Sequence, residues 1–353
     1  MKILTAIGAR PQFVKTAILS EELKKRGVEE ILVHSGQHYD DLMSDVFFRE
    51  LGIPEVAVNY EVGSGSHGVQ TGKMLAKFEQ SLLEFKPAAM LVHGDTNSTL
   101  AAALAAAKLE IPVVHNEAGL RSYNRSMPEE HNRVLTDHCS DTLFCPTQVA
   151  VDNLAKEGIT AGVHRVGDVM FDVARRFRPV AEAKSDAMQR FELTRGKFVL
   201  VTLHRPYNVD DPDRMRLLFD TMSRVDRTFV FPVHPRTRGN LAAFGIDFPA
   251  NVRSIDPLGY LDFLQLEANA GLIMTDSGGV QKEAYFAGVP CVTVRPETEW
   301  VETVNAGWNR LLWDNLEQLD EMLTTRWWPE EQPELYGDGN ASAKIAELLA
   351  GKY

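Results

Sequence analysis

Short apolar runs alternate with longer amphipathic stretches along nearly the whole chain. In the first half, KILTAI (2–7), ILVH (31–34), AAMLV (88–92), IPVVH (111–115) and TLFC (142–145) predict strands. In the second half the runs are FVLVT (198–202), TFVFP (228–232), VRSI (252–255), GLIM (271–274) and CVTV (291–294). Helical spacing lies between them, at 12–26, 68–85, 97–108 and 279–287 among others. Strands that are apolar throughout and separated by helices predict parallel sheets covered on both faces. Two sets of five strands predict an α/β protein with two doubly wound parallel sheets. An eight-repeat barrel is the alternative, disfavoured by the charged stretch 172–196, which carries no strand and reads as a helix plus a domain crossover. The expected domains are 1–170 and 171–340. A last helix at 341–352, after the Gly-Asp-Gly turn at 337–339, is expected to pack back on the first domain.

The bulk numbers narrow the function classes. At 353 residues the chain exceeds a usual single-core domain, and 44% hydrophobic with 24% charged residues is ordinary globular composition. No apolar run approaches the roughly 18–20 residues that span a bilayer. The first residues, MKILTAIGARPQF, have too short an apolar stretch for a signal peptide. Cys139, Cys145 and Cys291 show neither CxxC spacing nor an even count, so a reducing, cytoplasmic setting without disulfides or structural zinc is expected. A net charge of −12 argues against a nucleic-acid partner. An anionic small substrate would have to be met by local positive charge.

The polar residues fall in a positional pattern. Arg10, Asp95 and Glu117 follow strands of the first half, and His204, His234, Asp256 and Ser277 follow strands of the second. Ligands of open parallel sheets bind outside the carboxyl ends of the strands, so both halves are expected to aim at a shared cleft.

TDSGGVQKEA (275–284) is the sharpest local signal: a buried strand runs through Asp-Ser-Gly-Gly straight into a helix. Free N–H groups and the helix dipole make such a start an anion site, and the glycines let a diphosphate approach. The plainer reading is a capped helix, with Asp276 or Ser277 as N-cap. Glu283, further along that helix, could accept from a ribose hydroxyl pair or stand as a solvated acid. GARPQFVK (8–15) is a second strand-to-helix junction, neither a Walker loop nor GxGxxG, from which Arg10 and Lys15 could reach an anion. HGDTNST (93–99), HNEAGLRS (115–122) and MPEEHNR (127–133) place Asp95, Glu117, Glu129 and Glu130 in three nearby loops. Such a cluster suits proton transfer, although acids at a helix start also answer the helix dipole. A metal held by His93, Asp95, His115 and Glu117 is the rival, weakened because alternate strand residues point to opposite faces. His204 and Arg205 in LHRPYN, with His234 and Arg236 in HPRTRG, could meet a diphosphate or a cleft carboxylate, or cap helices. Phe263 in GYLDFLQL lies on an apolar stripe, where core packing competes with stacking on a base.

Read together, IGARPQFVK, VHGDTNSTLA, HNEAGLRS, MPEEHNRVLTD, LHR, the DSGG helix start and LYGDGNAS resemble the non-hydrolysing UDP-N-acetylglucosamine 2-epimerases, in family order over nearly the full chain. The resemblance implies two Rossmann-like domains in the glycosyltransferase-B arrangement with an interdomain cleft, UDP mainly on the second domain, and a homodimer. It implies Asp95, Glu117 and Glu129 as catalytic acids with His204 beside them. It likewise implies Arg10, Lys15, Ser277, Gly278 and Gly279 as diphosphate contacts, Phe263 as the uracil neighbour and Glu283 as the ribose ligand. Gln37 and His38 resemble part of an allosteric substrate site of some members. The chain departs from the family at Thr298-Glu299-Trp300, where many members read TER, at RPQF, where RPE is commoner, and at Pro206-Tyr207. These departures resemble the branch acting on UDP-2,3-diacetamido-2,3-dideoxyglucuronate, an alternative substrate to UDP-GlcNAc.

The implied reaction eliminates UDP across carbons 1 and 2 and adds it back through a 2-acetamidoglucal. It asks for an acid, a base and a held diphosphate, with no NAD, metal or nucleophile. A glycosyltransferase of the same fold is the main competitor, and would need an acceptor site. A binding protein without chemistry is the other, at odds with three clustered carboxylates.

Overall fold

The structure, a computed structural model, describes residues 1–37 and 52–353; His38 and the side chain of Arg10 lie outside the described residues. The chain divides into two compact units, Met1–Arg175 with Glu334–Tyr353, and Arg176–Pro333.

Unit 1 is built on a parallel sheet of β1 (Lys2–Ile7), β2 (Glu29–His34), β3 (Val58–Asn59), β4 (Ala89–His93), β5 (Val113–Asn116), β6 (Thr142–Cys145) and β7 (Val163–Arg165), in the order β3-β2-β1-β4-β5-β6-β7. Its helices are α1 (Arg10–Lys25), α2 (His67–Phe85), α3 (Asn97–Lys108), α4 (Pro128–His138), α5 (Gln148–Lys156) and the first part of α6 (Val169–Lys184). The strand order reverses between β1 and β4, which sets the turns leaving those two strands side by side. Alanine-rich α3 buries Ala101, Ala102, Ala103, Ala105 and Ala106, so a slim helix lies close against α2 and the sheet.

Unit 2 repeats the plan with β8 (Phe198–Thr202), β9 (Thr228–Pro232), β10 (Val252–Ile255), β11 (Leu272–Thr275), β12 (Cys291–Thr293) and β13 (Asn309–Leu311), all parallel, in the order β10-β9-β8-β11-β12-β13. After α6 come α7 (Ala187–Arg190), α8 (Pro206–Val209), α9 (Pro212–Ser223), α10 (Pro235–Phe244), α11 (Tyr260–Asn269), α12 (Gly278–Ala287), α13 (Val301–Asn305) and α14 (Leu319–Thr324). Along β8, Val199 and Val201 join one apolar cluster while Phe198 and Leu200 join the other. A strand covered on both faces must be apolar at every position, which is why it shows no alternation. Each such side chain, fully buried, contributes about 1.5–3 kcal/mol.

The last helix, α15 (Ala341–Lys352), belongs to unit 1 and lies against α1. Asp172 caps it, accepting from the amides of Ala341 (3.1 Å) and Ser342 (2.7 Å). Among the described residues no helix is long and apolar enough to cross a membrane.

The two sheets correct the expected two sets of five strands: they hold seven and six. The unforeseen strands β3, β7 and β13 are two or three residues long and lie at sheet edges. An edge strand has one neighbour and little burial, so no continuous apolar run marks it.

Candidate active site

In unit 1 the turns after β1 and β4 are tied together by one side chain. Gln12 is buried; its Oε1 accepts from the amides of Gly8 (2.8 Å) and Ala9 (3.0 Å). Its Nε2 donates to the His93 carbonyl (2.9 Å) and to the hydroxyls of Thr96 and Thr99 (3.0 Å each). The RPQF variation therefore staples the first loop to the end of β4.

Two of the four acidic positions of the sequence, Asp95 and Glu117, come together at Gly94 beside that staple. Asp95 stands in the turn between β4 and α3, its carboxylate 2.6 Å from Arg133 of α4. Glu117 directly follows β5 with φ +76°, a left-handed conformation that a residue with a Cβ adopts at a cost, and is ion-paired with Lys15 of α1. Gly94 joins the two: a Cβ there would lie 3.4 Å from the Lys15 ammonium and 3.5 Å from the Glu117 carboxylate. Lys15 and Glu117 line a small pocket with Asn116, Pro146, Gly167, Asp168 and Val169. Glu129 lies half-buried in the first turn of α4. Its neighbour Glu130 is committed to structure, accepting from Ser122 N, Ser122 Oγ and Tyr123 N (2.9 Å each).

Below these residues the histidines are engaged with protein groups. His115 Nδ1 lies 2.6 Å from Asp137 and its Nε2 2.8 Å from the Gly94 carbonyl, which leaves neither ring nitrogen for a metal. His93 Nδ1 accepts from Asn116 (3.0 Å). Burial, reinforced by the charges of Lys15 and His115, pushes the His93 ring down to about 3, so it is neutral. Asp137 also takes Arg121 (2.7 Å) and the Gly119 amide (3.1 Å). Burial alone would raise its carboxyl, but the cations beside it prevail and hold it below the usual range. Gln37 is hydrogen-bonded through its side chain to Ser98 of α3, at 3.0 Å from the amide and 2.7 Å from the hydroxyl.

In unit 2 the turns after β8 and β11 meet at the corresponding reversal of strand order. Asp276 is fully buried and accepts from the amides of His204 (3.1 Å) and Arg205 (3.0 Å) and from Asn208 (3.0 Å). His204 Nδ1 lies 3.1 Å from the same carboxylate while the ring is 49% exposed. Burial pulls the Asp276 carboxyl up, but His204 and the other donors outweigh it and hold it low. Ser277, not Asp276, is the N-cap of α12, accepting from Val280 N at 3.5 Å. A Cβ on Gly278 would run into the Glu299 carboxylate, which would have to move aside. Gly279 beside it is exposed.

Around that helix start lies a buried group of which sequence reasoning missed Lys282, Arg295 and Glu267. Trp300 is 2% exposed and the ammonium of buried Lys282 sits 4.4 Å from its ring centroid. Arg295, fully buried, pairs with Glu299 at 2.9 Å. Glu283 is half-buried on α12, and Glu267 behind it is fully buried. Burial, with the Glu283 charge added, pushes the Glu267 carboxyl well above the usual range. Phe263 packs its partly buried ring on the cluster of Phe198, Leu200 and Val230. His234 caps α10, its Nδ1 accepting from Arg236 N at 3.2 Å. Asp276 was readable only as a helix-start residue and Arg133 carried no reading of its own, because their partners lie 38 to 72 residues away in sequence.

Comparison with known proteins follows the same lines. A family profile for UDP-N-acetylglucosamine 2-epimerase matches residues 21–350. A UDP-N-acetylglucosamine 2-epimerase homolog of Methanococcus maripaludis is 49% identical over 99% of both chains. The UDP-2,3-diacetamido-2,3-dideoxy-D-glucuronate 2-epimerase of Pseudomonas aeruginosa is 47% identical, again over 99% of both. The crystal structure of the Methanocaldococcus jannaschii UDP-GlcNAc 2-epimerase in complex with UDP-GlcNAc and UDP superposes with a TM-score of 0.91 at 40% identity, covering 99% of this chain and 100% of that one. With the matched residues spanning most of its length, this chain belongs to the UDP-N-acetylglucosamine 2-epimerase family.

Proposed function

We propose that this epimerase interconverts UDP-GlcNAc and UDP-ManNAc by eliminating UDP and adding it back. The observation that carries the proposal is the convergence of Asp95 and the Glu117–Lys15 pair around Gly94. The proton on carbon 2 of an N-acetyl sugar is not next to a carbonyl, so it is too weakly acidic to leave alone. A carboxylate takes it while the carbon 1–oxygen bond breaks and its electron pair departs with UDP. The double bond between carbons 1 and 2 makes a 2-acetamidoglucal. Re-addition delivers a proton to the opposite face of carbon 2 and re-forms the bond from carbon 1 to UDP. Nothing is oxidised overall, so the sequence needs no redox cofactor.

Asp95, Glu117 and Glu129 are the proposed proton carriers, with His204 assisting. The amides at the start of α12, with Ser277, Gly278 and Gly279, are the proposed diphosphate site, joined by Arg10 and Lys15. Phe263 would face uracil and Glu283 the ribose. The test is turnover in deuterium oxide. Product should carry deuterium at carbon 2, and Asp95→Asn, Glu117→Gln and Glu129→Gln should each slow it at least ~100-fold with UDP affinity little changed. Epimer bearing only protium at carbon 2 would defeat the elimination route.

A second reading is favoured by the buried Lys282–Trp300 pair at the position where many relatives carry arginine, and by the 47% identical Pseudomonas relative. In it the same chemistry acts on UDP-2,3-diacetamido-2,3-dideoxyglucuronate. Incubation with each UDP-sugar, read by NMR, orders the two.

A further inference from the structure

Beneath the Asp95 turn runs a row of charged side chains that the elimination scheme does not employ. His115 and Asp137 are fully buried and the Arg121 side chain is 1% exposed. His115 Nδ1 meets Asp137 Oδ1 at 2.6 Å, and its Nε2 meets the Gly94 carbonyl at 2.8 Å. A carbonyl oxygen can only accept. The Asp137 carboxylate is likewise an acceptor, since its Oδ2 already takes Gly119 N at 3.1 Å and Arg121 Nη1 at 2.7 Å. Both ring nitrogens of His115 must therefore donate, and an imidazole with two N–H groups is a cation. Arg121 continues the row to Glu157 through bonds of 2.7 and 2.8 Å. The signs then alternate along the row, His115 positive, Asp137 negative, Arg121 positive and the partly exposed Glu157 negative. His93, on the neighbouring strand, provides the contrast: its Nδ1 accepts, and it stays neutral.

The Gly94 carbonyl links this row by a hydrogen bond to the turn that carries Asp95. Gly94 has φ +62°, precedes Asp95, and touches the Lys15–Glu117 pair. His115 itself lies two residues before Glu117 on β5. We propose that His115 and Asp137 are positioning residues for the epimerisation: Asp137 holds His115 as an imidazolium, which grips the Gly94 carbonyl and so fixes the Asp95 turn against the Glu117–Lys15 pair. The positioning role rests on the reading of Asp95 and Glu117 as proton carriers; the charge state does not.

The experiment uses the intact enzyme with ¹⁵N-labelled histidine. In the wild type at pH 8, both ring nitrogens of His115 should show bonded protons, and the signal should vanish in His115→Gln, which assigns it. His115→Gln retains a donor toward Gly94, and Asp137→Asn removes the charge and turns one acceptor oxygen into a donor. Each is expected to lower kcat by about 10- to 100-fold, as a misplaced acid would, with KM and calorimetric UDP affinity within about twofold. His115→Ala, with no donor, should fall below His115→Gln. A bare ring nitrogen in the wild type overturns the proposal even if the variants fail to fold. Wild-type kcat in a folded His115→Gln enzyme, or a loss appearing in KM alone, overturns the positioning role. A wild-type protein inert on both UDP-sugars with the doubly protonated ring intact sinks the proposed function, and the positioning role with it, while the buried cation stands.

Discussion

Units 1 and 2 present the same architectural feature, two loops side by side where the strand order reverses, and furnish it in different ways. In unit 1 the loops after β1 and β4, with the loop after β5 next to them, bear ionisable side chains, each matched to a charged neighbour: Asp95 with Arg133, Glu117 with Lys15, and His115 with Asp137 below. In unit 2 the loops after β8 and β11 bear mostly backbone. Asp276 is spent on amides of the opposite loop, and α12 begins at Ser277 and Gly278 with little side chain in the way. The difference follows from chemistry. A backbone amide can hold an anion but cannot release a proton at neutral pH, so proton transfer requires side chains whose charges must be fixed by neighbours. The strand-end loops of unit 1 should therefore be the more sensitive to acid and to charge-removing substitutions.

The largest expected effect breaks the buried row. Asp137→Ala leaves His115 and Arg121 without their shared carboxylate, and should cost about 3–5 kcal/mol of stability in chemical denaturation. A loss under ~1 kcal/mol would mean that the row is not needed to hold unit 1 together.

Next, Gly278→Val tests the backbone-built half. Its side chain would collide with Glu299 at the start of α12, and UDP binding should weaken by at least ~2 kcal/mol in calorimetry. Unchanged affinity in a folded variant removes the diphosphate assignment.

The comparison also has a pH signature. His93 takes up a proton near 6.5 when unfolded and at about 3 when folded. The unfolded state thus binds more protons throughout that interval, so stability drops as pH falls below 6.5, by about 1 kcal/mol between pH 6 and 5. His93→Gln should flatten that slope in denaturation curves; an unaltered slope would assign the acid sensitivity elsewhere.

The smallest effect is Ser277→Ala. Its capping bond to Val280 N is long at 3.5 Å, so the loss should sit near ~0.5 kcal/mol, the low end for a cap, in thermal melts followed by circular dichroism.

Much of the architecture was legible because burial writes itself into composition. β4, β6 and β11 are buried at every position, and each reads as an unbroken apolar run followed by polar residues. β3, β7 and β13 were not legible, since edge strands of two or three residues leave no run to read. At the site, Asp95, Glu117 and Ser277 stood out because each directly follows a buried strand. Which of two neighbouring polar residues takes which task was not legible. Ser277 caps α12 while Asp276 holds the other loop, and it is Glu130 that is bound into the turn at Ser122.

The sequence by itself determined the fold class and the strand-end positions of the candidate acids, because periodicity and burial are local properties of a few adjacent residues. Only the tertiary structure decided the charges. Lys15 meets Glu117, Arg133 meets Asp95 and Arg121 meets both Asp137 and Glu157, across gaps of 16 to 102 positions that no local pattern records. Ionisation depends on what lies within a few ångströms, and that distance exists only once the chain has folded.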